Sequence, residues 1–132
     1  MIMSEQSWPH FSHTELECHC GCGSQEMDPE FMERLEDLRG AYDKPMPVTS
    51  AYRCPNHNAS VSKTGPSGPH TTGMAVDIQV AGEDAHKLMT LALYHGFTGV
   101  GVRQRGPHQA RFLHLDTLEA DTNRPRPTIW SY

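Results

Sequence analysis

At 132 residues the chain suits one globular domain with its own core and is too short to expect two. A net charge of −5, with lysines and arginines scattered, excludes the basic face of a nucleic-acid binder and the polybasic run that holds a protein on an anionic membrane. The hydrophobic share of 36%, with 11 glycines and 10 prolines, points away from a helix bundle and towards a loop-rich fold.

Met1 to Pro9 has neither a basic n-region nor an apolar stretch. The expectation is therefore a protein made in the cytoplasm without a secretory signal, reaching any outer substrate by release or by another export route. Nothing along the chain approaches the roughly 20 apolar residues of a membrane span. Cys18, Cys20 and Cys22 follow, with Cys54 further on; in a cytoplasmic chain such residues lean towards thiols or metal ligands.

Asp28 as N-cap, Pro29 at the first helical position and Glu30 in the first turn open a helix over 28–42. Phe31, Leu35 and Leu38 form its apolar stripe, flanked by Met32 and Tyr42. Met46 to Ala51 reads as a short strand. Met74 to Val80 alternates, with Met74, Val76, Ile78 and Val80 on one face and Ala75, Asp77 and Gln79 on the other, as a half-buried strand does. A second helix spans 83–95 and stops at Gly96. Phe97 to Val102 and Arg111 to Asp116 read as strands around the turn Gly106-Pro107. A proline-bearing tail from Thr117 closes on Ile129, Trp130 and Tyr132, expected to fold back on the body. This order predicts one α+β domain over 1–132, with a mainly antiparallel sheet and flanking helices.

Three side chains stand out by placement. His70 lies in the loop Gly65-Pro66-Ser67-Gly68-Pro69-His70, where no apolar pattern accounts for it. Asp77 is a carboxylate in mid-strand, and His114 is in mid-strand within Phe112-Leu113-His114-Leu115-Asp116. Two histidines and one carboxylate make a catalytic zinc set with one position left for water. Each residue also has a plainer reading: a packed histidine, a solvated one, a turn-capping aspartate. The cluster Cys18-His19-Cys20-Gly21-Cys22-Gly23 with Cys54 admits a second, structural metal ion, a disulfide or free thiols. Its C-x-C-x-C spacing departs from the usual C-x2-C, and the second ion is not the favoured reading.

Four ordered blocks carry a resemblance. They are Val48-Thr49-Ser50-Ala51-Tyr52-Arg53-Cys54-Pro55-Asn56-His57-Asn58, His70-Thr71-Thr72-Gly73-Met74-Ala75-Val76-Asp77, Gly99-Val100-Gly101-Val102 and Phe112-Leu113-His114-Leu115-Asp116. Together they resemble the zinc D-alanyl-D-alanine carboxypeptidase family, and more narrowly its single-domain members among phage endolysins and wall-remodelling endopeptidases. The likeness runs from about Phe11 to Trp130.

The resemblance implies a hedgehog/D-Ala-D-Ala-peptidase-like fold with a zinc cleft on the sheet, and zinc held by His70, Asp77 and His114. It also implies that Arg53 binds substrate or steadies the oxyanion, with Ser50 as a second substrate-side residue. Ser50 and Asn58 are placed to hold the Arg53 loop. Two positions depart from the family pattern. Gly68 stands where a serine is usual, two residues before the first zinc histidine. Arg111 stands where many relatives carry the acidic proton shuttle, three residues before the last. Asp116, on the same strand face as His114, is the first substitute for that shuttle and equally a carboxylate orienting a zinc histidine. His108 is the other substitute.

The function so implied is hydrolysis of a peptide bond in the peptidoglycan stem or cross-bridge. D,D-carboxypeptidase, D,D-endopeptidase and L-Ala-D-Glu endopeptidase activities all suit the scaffold, and a phage endolysin suits the absent signal. The alternative is a zinc-bearing cell-wall or protein binding module that has lost catalysis. A third option, a redox or sensor protein built on the cysteines, requires Cys20→Ser to matter more than His70→Ala. The expected partner is a peptidoglycan peptide, bound by a monomer that neither inserts in membranes nor binds nucleic acid.

Overall fold

The computed structural model describes residues 8–132, so most of the N-terminal stretch read for a secretory signal lies outside the described residues. The first element is one that the apolar pattern does not announce. Ser12 caps a single helical turn, α1 (His13–Leu16), by a reciprocal pair: its hydroxyl accepts from Glu15 N–H, and the Glu15 carboxylate accepts from Ser12 N–H. A helix of four residues does not persist by its own hydrogen bonds. Tertiary contacts hold it instead. Leu16 is buried in the core, and Glu15 Oε2 accepts the Val48 N–H at 3.2 Å.

Helix α2 (Pro29–Tyr42) begins where its signals lie, with the Asp28 carboxylate accepting from Phe31 N–H at 2.9 Å. It buries Phe31, Met32, Leu35, Leu38 and Tyr42, the expected stripe and its flanks. Strand β1 (Val48–Ser50) is shorter than the Met46–Ala51 run, and its pairing register shifts between Val48 and Ser50. Pro47, which has no N–H to donate, still accepts from Gln79 N–H at 2.9 Å. Helix α3 (Pro55–Val61), with Pro55 at its first position, was not expected. Two 3-10 turns, Gly65–Ser67 and Pro69–Thr72, then deliver the chain to Gly73, whose φ of +75° makes the bend into β2 (Ala75–Gln79).

Helix α4 (Gly82–Tyr94) ends in a Schellman motif: Phe97 N–H reaches Ala92 O at 3.0 Å and Gly96 N–H reaches Leu93 O at 3.2 Å. Strands β3 (Gly99–Arg103) and β4 (Phe112–Asp116) are the expected pair, though β3 starts two residues later than read, because Phe97 turns inward to stack edge-on against Phe31. The tail does fold back, and it does so as a strand, β5 (Thr128–Ser131).

The sheet has five strands in the order β1-β2-β4-β3-β5. β1 with β2, β2 with β4 and β4 with β3 are antiparallel; β3 with β5 is parallel. The sheet is thus mixed, and the domain is α+β as expected. Alternation divides the central strands cleanly. Val76, Ile78, Leu113 and Leu115 enter the core that α2 and α4 cover, while Asp77, His114 and Asp116 take the opposite face. β2 departs from the half-buried expectation: Ala75, Val76, Asp77 and Ile78 are all buried, because the tail and the His70 loop cover the second face. No helix among the described residues is long and apolar enough to cross a membrane.

Leu35 is fully buried at the centre of the α2 stripe. Leu35→Ala is expected to cost about 2–5 kcal/mol, read in urea as a lower midpoint at an unchanged slope.

Candidate metal centre

The register of β2 on β4 sets Asp77 directly opposite His114. His70 arrives from the loop above, carried by the 3-10 turn that Gly73 terminates. His114 Nδ1 stands 3.2 Å from Asp77 Oδ1, and His70 Nε2 stands 3.3 Å from the same oxygen. The three residues are 2–8% exposed, so each just reaches the surface of the cleft.

The donor set and its spacing suit zinc. Nitrogen and oxygen ligands at about 2.0–2.1 Å from a tetrahedral centre lie about 3.3 Å from one another. The far nitrogens of both rings are also engaged. His70 Nδ1 lies 2.7 Å from the Ala51 carbonyl, and His114 Nε2 lies 2.7 Å from Asp116 Oδ2. Both partners only accept at neutral pH, so those ring nitrogens carry the protons. On a neutral ring the lone pair then falls at His70 Nε2 or His114 Nδ1, on the Asp77 side, which is the tautomer a metal needs.

Asp116 is fully buried behind His114, away from Asp77. Arg126 forks onto it, Nε to Oδ1 at 3.0 Å and Nη2 to Oδ2 at 2.9 Å, and Leu118 N–H adds a third donor to Oδ1 at 3.2 Å. Burial works against ionising Asp116, but the hydrogen bonds from His114 and Arg126 outweigh it and bring its pKa down to about 2. Burial likewise resists the charge on Asp77, and His114 and His70 still hold its carboxyl well below the usual range. Burial lowers the His114 pKa, and the two carboxylates that flank the ring more than reverse it.

Arg53 lies beside the triplet with Nη2 3.9 Å from Asp77 Oδ2. Its other groups are held: Nε donates to Ser50 Oγ at 3.2 Å and Nη1 to Asn58 Oδ1 at 3.0 Å. Ser50 is therefore placed to aim the guanidinium. Asn58, fully buried, also donates to Thr64 Oγ1 at 2.8 Å and to the Gly65 carbonyl, tying the Arg53 loop to the His70 loop. That tie accounts for Gly68, since a β-carbon there would run into the Thr64 side chain and the Asn58 amide.

The sequence candidate His108 does not reach the centre. His108 sits exposed in the 3-10 turn His108–Ala110 and is not among the cleft's lining residues. Arg111 turns its Nε to the Gly106 carbonyl at 3.1 Å. The tail supplies what the sequence reading missed. The Trp130 ring lies tilted against His114, its centroid 5.0 Å away, and the Arg126 guanidinium lies 5.1 Å over Trp130. Only the tail's expected return hinted at this, because nothing local marks Arg126 as the partner of Asp116. Gly99 and Gly101 of β3 face this layer: a β-carbon at Gly99 would meet the Asp116 carboxylate, and one at Gly101 the Trp130 indole. The triplet opens into a cleft of about 930 Å³ that Lys63, Ser67, Thr122 and Arg124 also line.

Removing the Asp116 carboxylate (Asp116→Asn) is expected to weaken zinc binding about 10–100-fold, measured by competition with a chromogenic chelator. Gly99→Ala is expected to do the same by displacing that carboxylate. Asp116 titrates at about 2 in the folded chain and near 3.9 unfolded, so its stabilisation is complete above about pH 4 and is lost as pH falls towards 2. Arg126→Ala strands a buried carboxylate; the expected outcome is about 3–5 kcal/mol lower stability at pH 7 and acid unfolding at higher pH.

The family model described as Peptidase M15 matches residues 9–116, which spans the lead-in and all three candidate ligands. No match among curated proteins accompanies it.

Proposed function

The chain belongs to the M15 family of zinc peptidases, and from that premise we propose that it hydrolyses a peptide bond in the stem or cross-bridge of bacterial peptidoglycan. The observation that carries the proposal is the held guanidinium of Arg53 beside the His70–Asp77–His114 triplet, at the floor of an open cleft.

Zinc bound there supplies a Lewis acid for the scissile carbonyl and brings the pKa of a water to about 7. The chain's own residues do the rest. Arg53 forks onto a substrate carboxylate or meets the charge that develops on the scissile oxygen. Ser50 and Asn58 fix it beforehand, so little reorganisation accompanies the reaction. Asp116 keeps the His114 proton on Nε2 and acts as the orienting carboxylate rather than the proton shuttle, since it is sealed from the cleft by His114 itself. Lys63 joins Arg53 among the positive groups lining the cleft, which suits a stem peptide bearing free carboxylates, while Arg124 is paired with Asp121. Release of the protein onto the wall during phage lysis fits this reading.

A second reading, a zinc-bearing binding module without turnover, has its own observation. The carboxylates lining the cleft among the described residues are Asp77 and Asp121, and Asp121 pairs with Arg124 at 3.1 Å. A dedicated proton acceptor is thus not in evidence beside the triplet.

Purified peptidoglycan incubated with zinc-loaded protein is expected to release peptides or D-alanine, identified by mass spectrometry, and chelation is expected to abolish the release. Arg53→Ala is expected to lower kcat/KM about 10²–10³-fold at unchanged zinc content. Intact wall after incubation with a protein that holds zinc would overturn the peptidase and favour the binding module.

A further inference from the structure

Four thiols outside the candidate active site converge on one point. Cys18, Cys20 and Cys22 come from the lead-in after α1, and Cys54 from the residue that precedes α3. Their sulfurs all lie within 4.8 Å of one another. Cys18 and Cys20 are 3.4 Å apart, Cys18 and Cys54 3.7 Å, and Cys20 and Cys54 3.6 Å.

These separations discriminate among the readings that the sequence leaves open. A disulfide requires about 2.0 Å between one pair of sulfurs and leaves the other pair free to stand elsewhere. Free thiols are weak donors and weak acceptors, and gain little from meeting four at a time. Four sulfurs at about 2.3 Å from a tetrahedral centre lie about 3.8 Å apart, close to the spacing observed.

The backbone is shaped to the same end. Cys18 N–H bonds to Ser24 O at 2.8 Å and closes the loop that carries the three cysteines. Gly21 and Gly23, at φ of +90° and +77°, make reversals there that a side chain would resist. Those reversals let a C-x-C-x-C run, unlike the commoner C-x2-C, aim three sulfurs inward. Cys54 N–H points at Cys18 Sγ from 3.3 Å, the kind of N–H···S contact that favours a thiolate.

We propose that Cys18, Cys20, Cys22 and Cys54 hold a zinc ion as a closed, four-thiolate structural site. All four positions are filled by the chain, so the site has no place for substrate. It joins the lead-in to the segment 51–54, which carries both Arg53 and the Ala51 carbonyl that fixes the His70 tautomer. Tyr52 N–H to Leu16 O at 3.2 Å and Arg53 N–H to His70 O at 3.0 Å lie on either side of the same junction. The inference does not depend on the peptidase reading.

The test counts metal and identifies its ligands. The His70→Ala/His114→Ala chain, purified without chelator, is expected to retain about one zinc per chain, and further Cys20→Ser/Cys22→Ser changes to remove it. The unmutated chain refilled with cobalt(II) is expected to show thiolate-to-cobalt charge-transfer absorption. That band can come only from the cysteines, so it reads the site even where a variant fails to fold. Absence of the band, or thiols that alkylate freely or are disulfide-bonded by intact mass in the native zinc-supplemented protein, would overturn the site.

Discussion

The opposition of Asp77 and His114 across β2 and β4 is the constraint on which the rest of the structure turns. Side chains alternate along a strand, so a slip of one residue in either strand would carry Ile78 or Leu113 into the cleft and that strand's own candidate ligand into the core. The register is held because Val76, Ile78, Leu113 and Leu115 all bury on the helix side. Hydrophobic burial thereby fixes the position of two polar groups that contribute nothing to it. β4 lies at the middle of the sheet, with β2 on one side and β3 on the other, so His114 is braced by paired backbone on both flanks.

Outside the triplet lies a second layer of polar contacts with its own logic. Each histidine presents one nitrogen to Asp77 and has the other occupied by an acceptor, a carbonyl for His70 and a carboxylate for His114. The carboxylate needs a cation because it is fully buried, and Arg126 brings that cation from the tail. The chain Asp77–His114–Asp116–Arg126 thus runs along one face of the sheet, from the triplet to the tail. Loss of any member leaves a buried group unpaired, which is why distant parts of the sequence share one site.

Much of this was legible in the sequence, for reasons that are local. Asp28, Pro29 and the spacing of Phe31, Leu35 and Leu38 mark α2, since capping and one-sided burial both act within a few residues. The alternation around Asp77 and His114 marks their strands, and the ordered motifs select His70 as their companion. What stayed hidden depends on contacts far apart in the chain. β5 lies in a proline-bearing tail with Ile129 exposed, and its parallel pairing on β3 has no turn to announce it. Arg126 looks like any surface arginine until the tail returns. α3 has no apolar stripe, because Asn58 is its one buried residue and anchors it through hydrogen bonds. The role of Asp116 was legible only to a choice of two, because alternation gives its strand face and not its neighbours from the tail.

Strand β3 shows how unequally this domain can vary. With glycine at 99 and 101 it gives up the branched side chains that strands favour, and it is held between β4 and β5 in spite of that. Any larger residue at those two positions collides with the groups behind the candidate ligands, so drift at Gly99 and Gly101 is closed. The cleft walls carry no such restriction: Lys63, Thr122 and Arg124 lie in segments whose side chains neither fill the core nor touch the triplet. New substrate preferences therefore have a route through the walls alone, with the sheet inherited unchanged.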